Sequence, residues 1–375
     1  MKKLCILLLA VVIVTALISS CSDSSTKSEE LTSPAASSEI STTETTEQVN
    51  SQNTPEEMSS VTEKEQESPQ AATDEVSSSD ATDKAPASDT KEKEYVLDTS
   101  IEPPKNISAS ILVDGLVFPE CPRWHDGKLW FSDMHAGKVI TVDMDGVLET
   151  IVEVPGNPGG LGWLPSGELL VASMNDSRVL TYDSHSLKEL CDLSDLSPSG
   201  LNDMVVDAQG RAYVGEFGGD EVFMVTPDGN ASIAAGGFNY PNGSVITPDG
   251  QTIIIAETYG NKLTAFNINS DGTLSGSHTW INVEFLPDGI CIDSEGGIWI
   301  ATINPYVVRF ADGGKMTHVV RVSQRAFACA LGGPDLRTLF ILTAPVTSAE
   351  NIAEQTKAAM SGRIEIVKVD IPGIE

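Results

Sequence analysis

From about residue 107 onward, one sequence pattern occurs six times, and this repeat limits the fold more than any other feature. Each copy has a short apolar run, a turn, and a second apolar run rich in β-branched and aromatic residues. The turn glycines of the first five copies are Gly127, Gly167, Gly210, Gly250 and Gly296, at spacings of 40, 43, 40 and 46 residues. Strand-like hairpins at this spacing, without a helical pattern, are typical of propeller blades.

The sequence therefore predicts an all-β, six-bladed β-propeller over residues 106–375, with four strands in each blade and the innermost strands lining a central channel. The last copy ends with a strand at residues 363–371 and is one strand short of a full blade. Residues 107–115 are predicted to form a strand that belongs to no other blade. Pairing these two segments closes the last blade and removes an exposed sheet edge. The only helix expected lies around residues 348–360.

The residues before the propeller have a different composition. Residues 1–20 combine two lysines with an apolar run, which predicts a secretory signal peptide, and Ile18-Ser19-Ser20-Cys21 resembles a bacterial lipobox with Cys21 as the lipidated residue. An ordinary signal peptide with an incidental cysteine is the alternative. Residues 21–105 are rich in Ser, Thr, Glu and Pro, which predicts a disordered tether. The expected location is outside the cell membrane, anchored by lipid alone, or in a periplasm or outer membrane.

Charge and cysteine content narrow the range of partners. The formal net charge of −31 argues against binding to nucleic acid. Four cysteines fall in the repeat region, and their spacing fits no small disulfide scaffold, so we expect free thiols in a monomeric domain. Cys121 with Cys329 is the pair to check for a disulfide. The other two are Cys191 and Cys291.

Four polar residues share one phase within the repeat. Each precedes its turn glycine by seven or eight residues and so begins an innermost strand. They are Glu120, Asn202, Asn242 and Asp288, and the second copy has Gly159 at this place. Because innermost strands begin at the same end of a propeller, these side chains should form a ring of oxygen donors over one mouth of the channel.

Two carboxylates and two amides, without histidine or cysteine, indicate a site for one divalent cation. Ca²⁺ suits this donor set best, and Mg²⁺, Mn²⁺ and Zn²⁺ stay open as alternatives. The competing interpretation is that Asn and Asp only serve as turn residues.

Several stretches resemble one family. FPECPRW, LNDMVVDAQGRAYVG, YPNGSVITPDG and PDGICIDSEGGIW are similar to the signature stretches of the gluconolactonase, regucalcin and luciferin-regenerating-enzyme family. The resemblance implies a hydrolase that opens a lactone or related ester at one divalent ion. It implies Glu120, Asn242 and Asp288 as metal ligands, with Asn202 toward the substrate or a metal-bound water. In such a reaction Asp288 would take the proton from water, and Asn202 would orient the substrate.

Other positions depart from that pattern. Cys121 stands where the family usually has glycine, and Gly200 stands where sugar-lactone members have arginine, which disfavours a sugar acid held by arginine. A non-catalytic, surface-displayed propeller with a structural metal, binding a small ligand or a protein, is therefore the alternative function.

Further polar residues are expected near the same mouth. The ends of the second strands return there and are predicted to be solvated loop residues rather than site groups. They are Asp133, Glu216, Glu257 and Thr302. His135 is a weaker candidate for acid–base chemistry.

Overall fold

The computed structural model describes residues 107–374. The predicted signal peptide (1–20), lipidation site Cys21 and tether (21–105) lie outside the described residues. Two strands at the start of the described chain precede the first blade. They are β1 (Ile107–Ser108) and β2 (Ser110–Leu116).

The first four blades are four-stranded antiparallel sheets whose strands follow chain order from the channel outward. Blade 1 contains β3 (Pro119–His125), β4 (Lys128–Asp133), β5 (Lys138–Val142) and β6 (Leu148–Glu153). Blade 2 contains β7 (Pro158–Trp163), β8 (Leu169–Ser173), β9 (Arg178–Tyr182) and β10 (Leu187–Asp192). Blade 3 contains β11 (Leu201–Val206), β12 (Ala212–Glu216), β13 (Glu221–Val225) and β14 (Ala231–Gly236). Blade 4 contains β15 (Pro241–Ile246), β16 (Thr252–Glu257), β17 (Lys262–Ile268) and β18 (Leu274–Asn282).

The last two blades use the strands at the start of the described chain. Blade 5 contains β19 (Ile290–Ile292), β20 (Ile298–Ala301), β21 (Tyr306–Phe310) and β22 (Met316–Arg321), and β1 adds a parallel fifth strand beside β22. Blade 6 contains β23 (Arg325–Gly332), β24 (Thr338–Ala344) and β25 (Gly362–Lys368), and β2 is its outermost strand.

The six-bladed propeller and its closure by an N-terminal strand are thus confirmed. One detail differs, because the predicted strand over 107–115 is split between two blades. Ile107 pairs with Val320 in blade 5, whereas Ser110 pairs with Ile366 in blade 6. The N-terminal segment therefore joins the sheets of two neighbouring blades.

Apolar side chains fill the spaces between neighbouring blades, and glycines let the innermost strands approach closely. Leu170 of blade 2 packs in one cluster with Val214 and Phe223 of blade 3. A Cβ atom added to Gly160 would lie 2.2 Å from the backbone nitrogen of Met204. Such contacts leave no room for side chains there and bring the starts of the innermost strands together at the mouth.

One helix, α1 (Ile352–Ala359), interrupts blade 6 between β24 and β25 within the predicted range. A 3-10 turn at Met134–Ala136 follows β4. Among residues 107–374, no helix has the length and apolar character needed to cross a membrane.

Candidate functional site at the channel mouth

The predicted ring residues occupy equivalent places in their blades. Pro119, Leu201 and Pro241 begin their strands paired with Asp133, Glu216 and Glu257, and the ring residue follows directly as Glu120, Asn202 or Asn242. In each strand the register then shifts. Such a bulge turns a side chain out of the regular alternation, as is common next to functional sites.

Blades 2, 5 and 6 complete the ring with different residues. Gly159 follows the first pair of β7 before the same register shift. Asp288 precedes β19, and its amide donates a hydrogen bond to the Ala301 carbonyl at 2.9 Å. In blade 6 the shift in β23 falls at Phe327, so an aromatic ring takes the sixth place.

Hydrogen bonds and burial show that the four polar side chains share one mouth. Glu120, Asn202 and Asp288 are buried, and Asn242 is half-buried. Asn202 Nδ2 donates to the Pro241 carbonyl at 3.1 Å. The Asn242 side chain hydrogen-bonds to the Asp288 carboxyl. The structure thus brings these residues together, while their roles as ligands stay predictions.

The two carboxyl groups of the ring are unstable as anions. Burial, followed by the charge of Asp203, raises the pKa of Asp288 to about 8. Burial and then the charge of Asp288 raise the pKa of Glu120 well above its usual value. Neither carboxyl forms an ion pair with a lysine, arginine or histidine among residues 107–374. Two buried acids that share a site and lack a cationic partner favour protonation or a bound cation.

A threonine holds Asn242 in place from the side. Asn242 Nδ2 donates to Thr258 Oγ1 at 3.1 Å, and Thr258 Oγ1 donates to the Pro287 carbonyl at 2.9 Å. Because Pro287 directly precedes Asp288, this chain of hydrogen bonds fixes one amide and one carboxylate of the ring relative to each other.

Asp203 is a further acid beside the ring that the phasing of the repeat did not select. It is buried, accepts a hydrogen bond from the amide of Met204 at 2.7 Å, and forms an ion pair with Arg123 Nη2 at 2.9 Å. The Cys121 thiol hydrogen-bonds to it, and burial raises the pKa of that thiol. The Asn-Asp sequence was the available signal, but the partner Arg123 lies 80 residues away in another blade.

The backbone of Cys121 explains its place after Glu120. Its φ of +50° lies in the left-handed region that favours glycine. In this conformation its amide donates to Glu120 Oε2 at 3.0 Å. The thiol therefore occupies a position that favours glycine, beside the predicted metal ligand.

The prediction that residues at the ends of the second strands are solvated is wrong. Asp133, Glu216, Glu257 and Thr302 are buried instead of solvated. Their side chains bind nearby backbone, as when Asp133 Oδ1 accepts from the amide of Phe118 at 2.7 Å and Glu257 Oε2 accepts from the amide of Asn239 at 2.9 Å. A carboxylate at a strand end satisfies loop amides that would otherwise be unpaired, and this burial could not be read from loop polarity.

Helix α1 contacts His135. His135 Nδ1 and Thr356 Oγ1 are 2.7 Å apart, and the imidazole stacks on Phe118 with ring centroids 4.6 Å apart. Burial, followed by the charge of Lys357, lowers the pKa of His135 to about 4. A neutral histidine held in this way docks the helix, so the contacts support a structural role for a residue predicted as a weak acid–base candidate.

The cysteines of the described chain are free, as expected. The pair singled out from the sequence is not the pair in contact, because Cys329 Sγ lies 3.7 Å from Cys291 Sγ while Cys121 contacts Asp203. Cys291 and Cys329 belong to the innermost strands of adjacent blades 5 and 6.

The donor chemistry of the ring fits a hard divalent cation. Within residues 107–374, no three histidine, cysteine or acidic side chains are grouped as a metal centre. The ring instead combines two carboxyls with two amides, and oxygen donors of this kind suit Ca²⁺. A bound cation would also offset the negative charge that the two carboxylates place in a buried site.

Comparison with known proteins gives a consistent result. Residues 118–345 match the family model described as SMP-30/Gluconolactonase/LRE-like region. The chain is 28% identical over 238 residues to the pentonolactonase of Haloferax volcanii, covering 60% of this chain and 81% of the relative. It is 26% identical over 246 residues to regucalcin of Xenopus laevis, covering 60% and 82%.

Solved structures share the fold. The calcium-binding protein regucalcin from Agrobacterium tumefaciens superposes with a TM-score of 0.63 at 18% identity, covering 73% of this chain and 98% of that one. A gluconolactonase from Xanthomonas campestris gives 0.57 at 21% identity, covering 70% and 90%. With the family model matching more than half of the sequence, the chain belongs to the SMP-30/gluconolactonase/LRE-like family.

Proposed function

We propose that this protein hydrolyses a carboxylic lactone, or a related ester, at the channel mouth with the help of one divalent cation. The observation that carries the proposal is the pair of buried carboxyls, Glu120 and Asp288, which share the mouth with Asn202 and Asn242. The relatives named pentonolactonase and gluconolactonase support the reaction class.

The cation would be held by Glu120, Asn242 and Asp288, with Asn202 as a further donor, and Ca²⁺ is the first choice. The calcium-binding regucalcin with the same fold supports that choice, and Zn²⁺, Mg²⁺ and Mn²⁺ are tested beside it. When bound, such an ion polarises a carbonyl and makes water more acidic.

Two side chains of the ring carry out proton transfer and positioning in this reaction. Asp288, as the carboxylate, takes a proton from the attacking water and can return it to the leaving alkoxide. Asn202 donates through Nδ2 to Pro241, which leaves Oδ1 to face the ion or substrate. Overall, water adds across the ester bond, the bond from the carbonyl carbon to the ring oxygen breaks, and one hydroxy acid is formed.

The test is hydrolysis by the purified full-length protein in detergent. After chelation, γ- and δ-lactones and an aryl ester are offered with Ca²⁺, Mg²⁺, Mn²⁺ or Zn²⁺. We expect turnover that depends on the added ion and falls by at least about 100-fold in Asp288→Asn. Asp114→Asn, which changes an exposed acid on β2, is the matched control and should keep full activity.

Absence of turnover with every ion, despite tight ion binding, would reject the hydrolase and favour the non-catalytic binding propeller. Loss of folding in Asp288→Asn would be seen by circular dichroism, and Asn202→Ala then provides the second variant for the same assay. A decrease of turnover in Asp114→Asn equal to that in Asp288→Asn would count against the proposed site.

The proposed place of action is outside the cytoplasm, on a lipid anchor at Cys21. The lipobox-like sequence before Cys21 and the predicted tether support this location. Labelling of wild-type protein with a radioactive fatty acid, and loss of the label together with release from membranes in Cys21→Ser, is the expected result. Equal membrane association of both proteins would contradict it.

A further inference from the structure

Three aromatic side chains form a cluster on the rim of the mouth in blades 3 and 4. Phe217 and Tyr240 lie with ring centroids 5.6 Å apart, and Tyr240 and Tyr259 lie 5.2 Å apart, both pairs edge to face. Phe217 is 41% exposed and Tyr259 is 53% exposed. Large aromatic side chains exposed side by side on a soluble domain commonly mark a binding surface.

This aromatic cluster is continuous with the polar ring. Tyr240 directly precedes Pro241, whose carbonyl accepts the hydrogen bond from Asn202. Tyr259 directly follows Thr258, whose hydroxyl accepts the hydrogen bond from Asn242 Nδ2 at 3.1 Å. A molecule that reaches the ring from this side therefore touches the aromatic cluster.

Gly200 explains why an aromatic ring, and not a long polar side chain, lines the mouth in blade 3. Its φ is +111°, and a Cβ atom there would lie 2.7 Å from the Met174 carbonyl oxygen. The position therefore cannot readily carry a side chain. The same Cβ would lie 3.7 Å from the Cβ of Phe217, whose amide donates to the Gly200 carbonyl at 2.9 Å. Phe217 thus occupies the space beside this bare backbone.

A buried apolar cluster adjoins the ring from blades 1, 2 and 6. It includes the sixth ring position, Phe327, and the residue after Glu120. Its buried members are Phe118, Cys121, Met134, Met174, Phe327, Ala344 and Val346. The charge of Arg123 on β3 is paired with Asp203. The ring is thus polar at its base and flanked by apolar groups, which suits a ligand with one ester group and an apolar remainder.

We propose that the substrate is a lactone that carries an aromatic or long alkyl substituent, with this substituent packed on Phe217 and Tyr259, and not a polyhydroxylated sugar lactone. The proposal rests on the proposed function, because it assigns the remainder of the molecule whose ester group lies at the ring. A sugar lactone would place hydroxyl groups against apolar surfaces that offer them few partners, which costs binding energy.

The experiment compares γ-lactones that differ only in their substituent. These are γ-butyrolactone, γ-phenyl-γ-butyrolactone, γ-decalactone and a pentono-1,4-lactone. We expect kcat/KM to be at least about tenfold higher for the phenyl or alkyl lactone than for the sugar lactone. Phe217→Ala and Tyr259→Ala should each lower kcat/KM of the preferred lactone about tenfold, mainly through KM, which corresponds to about 1.4 kcal/mol of lost apolar contact. The value for γ-butyrolactone should change less than threefold.

Ile233→Ala is the matched control, because Ile233 is 51% exposed on the outermost strand of the same blade as Phe217 and lies away from the mouth. It should leave all four lactones unaffected. Preference for the sugar lactone, or an equal loss on substituted and unsubstituted lactones in Phe217→Ala, would overturn the proposal.

A binding measurement separates failure of this proposal from failure of the hydrolase. Calorimetry with the ring-opened acids, 4-hydroxy-4-phenylbutanoate and a pentonate, reports binding without turnover. Tighter binding of the phenyl acid, weakened about tenfold in Phe217→Ala, supports the aromatic surface even if no lactone is hydrolysed. Tighter binding of the pentonate, or equal binding in wild type and Phe217→Ala, rejects it even if lactones are hydrolysed.

Discussion

Glu120 and Asp288 belong to blades 1 and 5, yet the charge of Asp288 contributes to the raised pKa of Glu120 at the shared mouth of the channel. Each group is buried, and each is more stable in its protonated form than a carboxyl in water. Keeping both charged without a cation therefore costs folding free energy, and this cost can be measured by pH and by substitution.

The first prediction concerns stability without divalent ions. The pKa of Asp288 is about 8 in the folded protein against 3.8 ordinarily. Because the folded-state pKa is the higher one, the stabilising contribution is complete below about pH 4 and is lost as pH rises through about 8. Chelated wild type should therefore lose stability relative to Asp288→Asn across this window, by at most about 1.4 kcal/mol per pH unit.

Thermal unfolding of both proteins at pH 4, 6 and 8, with chelator and again with Ca²⁺, checks this. A saturating ion that binds the folded state should reverse the loss in wild type and act less on the variant. Parallel unfolding temperatures of the two chelated proteins would contradict the raised pKa.

The second prediction concerns Thr258, which positions ring residues without belonging to the ring. Thr258→Val keeps the shape of the side chain but removes the hydroxyl between Asn242 and the Pro287 carbonyl. Metal affinity should fall about 10- to 100-fold, as is usual when a ligand loses its supporting hydrogen bond. Calorimetric titration with Ca²⁺ measures it. Thr279→Val on the exposed outer strand of the same blade is the control, and equal affinities in both variants would sink the idea.

The third prediction concerns His135 and helix α1. The pKa of His135 is lowered to about 4 in the folded protein, below its ordinary value of 6.5. Because the folded-state pKa is the lower one, the stabilising contribution is present above pH 6.5 and is lost as pH falls toward 4. His135→Phe retains an aromatic ring for the stack on Phe118 and removes the titrating group, so wild type should lose stability relative to it on acidification. Unfolding at pH 7, 5.5 and 4.5 measures the difference in stability between the two proteins. This difference should change in favour of His135→Phe as the pH falls, and a constant difference would contradict the prediction.

The fourth prediction separates backbone strain from crowding at Gly200. Gly167 has φ of +91° and no neighbour within 4 Å of an added Cβ, so Gly167→Ala should cost about 1 kcal/mol. Gly200→Ala meets the Met174 carbonyl as well and should cost about 3 kcal/mol or more. Denaturant titration compares the two. A similar loss of stability in the two variants would mean that the backbone around Gly200 can move to accommodate a side chain.

The repeat predicted the blades and the ring because both depend on local sequence. The turn glycines set the hairpins, and the distance from each turn placed the polar residues at the entry of the innermost strands, where Glu120, Asn202 and Asn242 are the second residue of each strand. Even the closing strand followed from an incomplete last copy.

Contacts between blades could not be predicted in the same way. Arg123 with Asp203 and Cys291 against Cys329 both join residues of different blades, whose separation depends on how closely the innermost strands approach. Burial of Asp133 and Glu257 was missed because their partners are loop amides, which a polarity pattern does not reveal.

The closing strand also sets an order of events in time. Ser110 pairs with Ile366, and 256 residues separate them. At a synthesis rate of roughly 5–20 residues per second, β2 waits about 13 to 50 s before its partner exists. Only Val113 and Leu116 of β2 are buried in the finished sheet. A strand with so few apolar groups to protect is well suited to such a delay, and the ring cannot be completed before β25 has been synthesised.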